Sequence, residues 1–126
     1  MRNTSCNVLV VDDNAEQVNI LKKILAREGY AVSAATSGDD ALKIIQDATV
    51  DVLITDMSMP EMDGITLLKK AKVLKKNLPV IIITAFGEWG PYAEALREGA
   101  ADFLSKPFKV DEILKVLKRV VQEIPR

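Results

Sequence analysis

Five short apolar runs, each followed by a stretch with helical spacing, constrain this chain more than any other feature. The runs are Asn7 to Val11 (NVLVV), Tyr30 to Ala35 (YAVSAA), Val52 to Thr55 (VLIT), Val80 to Ile83 (VIII) and the brief Phe103 to Leu104. Strands with so little polar interruption are buried on both faces, and strict alternation with helices implies a parallel sheet reached by right-handed crossovers. The intervening apolar positions recur at helical spacing: Val18, Leu21 and Leu25; Leu42 and Ile45; Leu67, Leu68, Ala71 and Leu74. Ile113, Leu114, Leu117, Val120, Val121 and Ile124 give the fifth helix the strongest stripe. The fourth, Pro91 to Glu98, offers only Ala93, Ala95 and Leu96. Asn14 with Gln17 resembles a capping box, Ser37 is placed to cap the second helix, and Gly29 and Gly99 follow helix ends. The expectation is an α/β fold of five βα units, a doubly wound sheet with five helices.

A chain of 126 residues, 48% hydrophobic and 28% charged, has the size and composition of one folded domain rather than a disordered segment. We expect one domain over residues 1–126, with its core at about 7–124, and no linker or repeat. The 17 basic and 18 acidic residues nearly cancel, so nothing favours a sequence-independent grip on nucleic acid phosphates. No run is long enough to span a bilayer, and the leader through Asn7 is too short and polar for a signal peptide. Cys6 is the only cysteine, which excludes an intramolecular disulfide and suits a reducing cytoplasm. Histidine is absent, so imidazole bases, histidine zinc ligands and a phosphohistidine of the chain's own are excluded.

Sites in open α/β sheets form at the carboxyl ends of the strands, and here those ends are chemically uneven. The first strand runs into Asp12 and Asp13, the third into Asp56, the fourth into Thr84, and the fifth into Ser105 and Lys106. The second ends blandly in Ala34, Ala35 and Thr36. With the second strand at an edge, three carboxylates, a hydroxyl and an ammonium group meet at one end of the sheet. Carboxylates drawn together repel and drive one another toward protonation unless a cation compensates. Oxygen ligands without histidine or cysteine suit a hard octahedral ion, Mg²⁺ or Mn²⁺ rather than Zn²⁺. Magnesium commonly bridges carboxylate and phosphate, Lys106 adds positive charge, and Thr84 adds a hydrogen-bond donor, a set suited to phosphoryl transfer with Asp56 as acceptor.

VVDDN at 10–14, ITDMSMPEMDG at 54–64, ITAFG at 83–87 and GAADFLSKPF at 99–108 stand in order, and through them the chain resembles the receiver domains of two-component response regulators over essentially its whole length. The resemblance implies strand order 2-1-3-4-5. It implies that Asp12 and Asp13 form an acidic pocket, that Asp56 is phosphorylated, that Thr84 binds a phosphoryl oxygen and that Lys106 pairs with it. It further implies that the Ser58 backbone carbonyl joins Asp13 and Asp56 around the metal, with Asp12 acting mainly through water, and that the Lys106–Pro107 peptide is cis. The donor would be a histidine kinase or a histidine phosphotransfer protein. The signal would leave by the face of the fourth helix, fifth strand and fifth helix, toward a partner or a fused output domain, and a dimer through that face is one arrangement it allows. Thr84 and Phe103 would form the switch, with Phe103 lacking the hydroxyl that could fix its ring. Phe86 is read as a shield over the acyl phosphate and Trp89 as a reporter of loop movement. Met1 favours a natural start, while a truncated longer regulator would carry the same residues.

Each residue alone has a plainer reading. Asp12 and Asp13 could cap a helix, Asp56 could open a solvated turn before Pro60 and Asp63-Gly64, and Gly64 could serve only the turn into the third helix. Their joint placement at four strand ends outweighs those readings. A phosphohydrolase of the haloacid-dehalogenase kind needs an acid at the third place of its first-strand motif, where this chain has Asn14. A binding module that never carries phosphate is a third reading, opposed by the intact Asp13, Asp56, Thr84 and Lys106. Neither turnover on external substrates nor direct nucleic acid or membrane binding is expected of this segment.

Overall fold

A computed structural model describes residues 6–85 and 90–124. Five strands and five helices alternate along the chain: β1 (Asn7–Val11), α1 (Ala15–Arg27), β2 (Ala31–Ala35), α2 (Gly38–Asp47), β3 (Val52–Asp56), α3 (Gly64–Leu74), β4 (Val80–Thr84), α4 (Gly90–Arg97), β5 (Asp102–Ser105) and α5 (Val110–Gln122). All pairings are parallel, and the order β2-β1-β3-β4-β5 leaves β2 and β5 at the edges. The edge position of β2 explains its mixed burial against the nearly continuous burial of β1, β3 and β4.

Two-residue alternation sorts the sheet's side chains into two cores. Leu9, Val11, Leu53, Val80, Ile82 and Phe103 face a layer supplied by α2, α3 and α4. Val8, Val10, Val52, Ile54, Ile81 and Ile83 face the other layer, where Leu21 and Leu25 of α1 meet Ile113, Leu117 and Val120 of α5. The helical spacings identify most of this core, with overshoots at Leu74, Ala93 and Leu96. Leu74 is 40% exposed at the end of α3, and in α4 only Ala95 is buried while Leu96 is 47% exposed. No helix among the described residues is long and apolar enough to cross a membrane.

Strand and helix ends follow local chemistry. Asn14 Oδ1 accepts from the Glu16 and Gln17 amides at 3.0 and 3.2 Å, so the expected box at α1 is carried by its Asn14 half. Ser37 Oγ accepts from the Asp40 amide at 3.1 Å, and Asp63 Oδ1 from the Thr66 amide at 2.8 Å. Gly29 and Gly99 take φ values of 95° and 96°, the left-handed turn that ends α1 and α4. Strand β5 extends one residue beyond the sequence reading at each end, because Asp102 pairs with Ile81 and Ser105 with Thr84. Tyr30 is not part of β2: its amide donates to Leu25 O as α1 closes, and its ring lies in the α1–α5 core.

Candidate phosphoacceptor site

Register brings the chemistry to one end of the sheet. Val11 pairs with Thr55 and Asp56 with Ile83, so the residues after β1 and at the ends of β3 and β4 stand side by side. The carboxylates of Asp12, Asp13 and Asp56 each offer an oxygen within 4.8 Å of the others, a spacing that one metal ion could bridge. Lys106, from the turn after β5, lies 3.2 Å from Asp56 Oδ1 and 3.7 Å from Asp12 Oδ2. The Lys106–Pro107 peptide is cis, as the resemblance implied. Asp12 Oδ1 also accepts from the Asn14 amide at 2.9 Å, tying the acidic pair to the start of α1.

Burial raises the Asp56 carboxyl above its ordinary pKa; Lys106 opposes that rise, and Asp12 and Asp13 add to it. One ammonium group against three carboxylates leaves the site short of positive charge. The donor set, all oxygen and partly desolvated, therefore fits a hard divalent cation. It offers none of the nitrogen or sulfur ligands that zinc favours.

Gly64 is fixed by crowding as well as by the turn. A Cβ at that position would sit 2.6 Å from the Asp56 carbonyl oxygen and 3.0 Å from Met57 Cα. Its amide donates to Met57 O at 2.8 Å, so the start of α3 lies directly against the backbone that presents Asp56. Between them Glu61 adopts a φ of 69°, a left-handed conformation in a non-glycine residue that no sequence signal marked.

Thr84 is buried at the end of β4, beside Ser105 of β5, and Asp12, Asp56 and Lys106 line a cavity on the α1–α5 side. Phe103 is 8% exposed, and its ring meets Tyr92 edge to face with centroids 5.2 Å apart. Ser58 is exposed in the loop after β3. Phe86 and Trp89 lie outside the described residues, so the shield and reporter expectations have no structural counterpart here.

Sequence reasoning missed the cavity itself. It encloses about 630 Å³ between α1 and the turn into α5, with Ile20, Ile24, Pro107, Phe108 and Val110 leading down to Asp12, Asp56 and Lys106. Its signal was available, because Ile20 and Ile24 fall off the buried stripe of Val18, Leu21 and Leu25, and Ile20 is 49% exposed.

The response regulator receiver domain family matches residues 8–118. The chain is 39% identical over 115 residues to the transcriptional regulatory protein ZraR of Salmonella typhimurium, covering 91% of this chain and 26% of that protein. It is 38% identical over 112 residues to sporulation initiation phosphotransferase F of Bacillus subtilis, covering 89% of this chain and 90% of that one. The chain thus spans about a quarter of the regulators of the first kind and nearly the whole of the second. Among solved structures, FixJ-N superposes with a TM-score of 0.89 at 34% identity, covering 96% of this chain and 97% of that one. A receiver domain protein from Clostridium thermocellum gives 0.89 at 29% identity, covering 93% and 94%. With fold and sequence in agreement over most of its length, the chain belongs to the response regulator receiver domain family.

Proposed function

We propose that the chain accepts a phosphoryl group on Asp56 from a phosphohistidine of a histidine kinase or histidine phosphotransfer protein, in a reaction that depends on Mg²⁺, with Mn²⁺ able to replace it. The observation that carries this reading is the gathering of Asp12, Asp13 and Asp56 within 4.8 Å, with Lys106 3.2 Å from Asp56. In the transfer, an Asp56 carboxylate oxygen forms the new P–O bond while the donor's P–N bond breaks, and the departing imidazole takes its electron pair and a proton from water. The donor histidine lies outside these 126 residues, which contain none. Asp13, Asp56 and the Ser58 carbonyl would hold the cation, with Asp12 acting through water. The bound cation would supply charge for the phosphoryl oxygens. Lys106 would hold one phosphoryl oxygen by its ammonium group, and the Thr84 hydroxyl would donate to another. The apolar cavity above Asp56 supports approach by a protein donor, because its rim of Ile20, Ile24 and Val110 offers surface that a small phosphodonor does not need.

The chain acts on this reading as a switch that assists its own phosphorylation and dephosphorylation, with no turnover of external substrates. Thr84 and Phe103 relay the change to the surface of α4, β5 and α5, which signals to a partner or a fused output domain. The experiment is exposure to acetyl phosphate with magnesium, followed by intact mass. Wild type should gain one phosphoryl group and Asp56→Asn none; equal labelling of the variant would refute the assignment.

A further inference from the structure

Helix α4 buries the fewest residues of the five helices. Ala95 is its only buried residue, Leu96 and Tyr92 are 47% and 42% exposed, and a Cβ added to Gly90 would meet nothing within 4 Å. Contacts of Glu94 and Tyr92 tie it down. Glu94 pairs with Lys69 of α3 at 3.5 Å, an exposed contact of little strength. The other is Tyr92, in the first turn of α4, whose ring stands edge to face on Phe103 with centroids 5.2 Å apart and planes at 82°.

This geometry answers a question raised by the sequence, namely what fixes a ring that has no hydroxyl. Phe103 is 8% exposed, so its seat is already largely closed, and the half-exposed Tyr92 stands beside it. Register adds the connection to the site: Phe103 pairs with Ile82 and Ser105 with Thr84, which makes Phe103 and Thr84 diagonal neighbours on one face of the sheet. The Phe103 amide donates to Asp102 Oδ1 at 2.7 Å, and Arg119 of α5 grips the other oxygen of Asp102, so the backbone at Phe103 is held while its ring answers to α4.

We propose that Tyr92 is a positioning residue that holds the Phe103 ring in its buried seat and so couples the first turn of α4 to Thr84 and Asp56. The proposal rests on the reading of Thr84 and Phe103 as the switch. An edge-to-face aromatic pair shifts an equilibrium by roughly two- to twelve-fold beyond the effect of burial. Tyr92 biases Phe103 toward its seat by that factor, and by reciprocity a phosphoryl group that draws Thr84 inward strengthens the aromatic contact by the same factor.

The test incorporates 4-fluorophenylalanine and follows the Phe103 resonance, assigned with Phe103→Leu, for its solvent isotope shift in water and D₂O. Tyr92→Leu retains apolar bulk but removes the ring; Tyr92→Phe restores it. Exposure of Phe103 should rise in Tyr92→Leu and remain at the wild-type value in Tyr92→Phe. The rate of Asp56 labelling by acetyl phosphate with magnesium should fall about two- to twelve-fold in the first variant and be preserved in the second. An unchanged Phe103 resonance in Tyr92→Leu overturns the positioning role, as does a changed resonance with an unchanged labelling rate. If wild type takes no label at Asp56, the phosphoacceptor reading fails and the coupling to Asp56 falls with it, while the fluorine shift still decides whether Tyr92 seats Phe103.

Discussion

Alanine at Gly64 would place a methyl carbon 2.6 Å from the Asp56 carbonyl oxygen and 3.0 Å from Met57 Cα. Both obstacles are backbone, so no side-chain rotation relieves them, and the segment presenting Asp56 must shift. Forcing a methyl group into a packed position costs about 1–3 kcal/mol, against which better helix propensity returns at most about 1 kcal/mol. For a domain of this size each kcal/mol corresponds to roughly 3–5 °C in Tm, so a net cost of up to about 3 kcal/mol lowers Tm by up to about 15 °C. The displacement falls on the nucleophile's own backbone, and a misplacement of a few tenths of an ångström should slow labelling by about tenfold. Two other glycines calibrate the effect. Gly90→Ala meets nothing within 4 Å and should be neutral or stabilising by up to about 1 kcal/mol. Gly38→Ala meets Met62 Sδ, the far end of a flexible side chain, and should cost less than Gly64→Ala while sparing the labelling rate. Thermal unfolding by circular dichroism and acetyl phosphate labelling by intact mass decide the matter. A Gly64→Ala protein with Tm within about 1 °C of wild type and an unchanged labelling rate would refute the crowding argument.

Magnesium should stabilise the wild type by about 2.7 kcal/mol at one hundred times its dissociation constant, and Asp13→Ala should lose most of that gain; equal gains in a thermal-shift titration would remove Asp13 from the metal site. In chelator, burial holds the Asp56 carboxyl above its ordinary pKa, so the folded chain binds that proton more tightly than the unfolded one. Stability contributed by Asp56 therefore rises as pH falls from neutral through the raised value into the ordinary carboxylate range, and is flat below it. Asp56→Asn should be more stable than wild type at neutral pH, with the difference shrinking as pH falls. Urea unfolding from about pH 8 to 4 measures it, and a difference independent of pH would contradict the assigned shift.

The sheet was legible because alternation and near-continuous apolar strands leave few topologies, and four of the five expected strand ends carry their polar residues where register places them. Legibility failed where side chains rather than periodicity decide. Val120 and Leu117 follow the spacing of α5 into the core, but Leu74 and Leu96 also fit helical spacing and end at the surface, since a stripe records angle and not the distance to the next layer. The apolar groove over Asp56 comes from Ile20 and Val110, which only the assembled α1 and α5 bring together. Gly64 was read for its turn, yet its contact with Asp56 O is visible only once α3 is laid against the end of β3.

On the proposed function, the strand positions of the site residues bear on how a signal could leave. Asp12, Asp56 and Lys106 open toward α1 and α5, the side from which a donor would come. Phe103 belongs to the side of α2, α3 and α4. On the proposed function, phosphorylation on one face is read on the other, with the rim where Asp56 pairs with Ile83 and Thr84 with Ser105 as the crossing point. A donor docked over α1 then leaves the α4 surface uncovered. On that reading, charge gained at Asp56 acts through Thr84, whose neighbour Phe103 meets Tyr92 of α4, the helix with a single buried residue. Small shifts propagate where little packing energy opposes them, and α4 opposes them least.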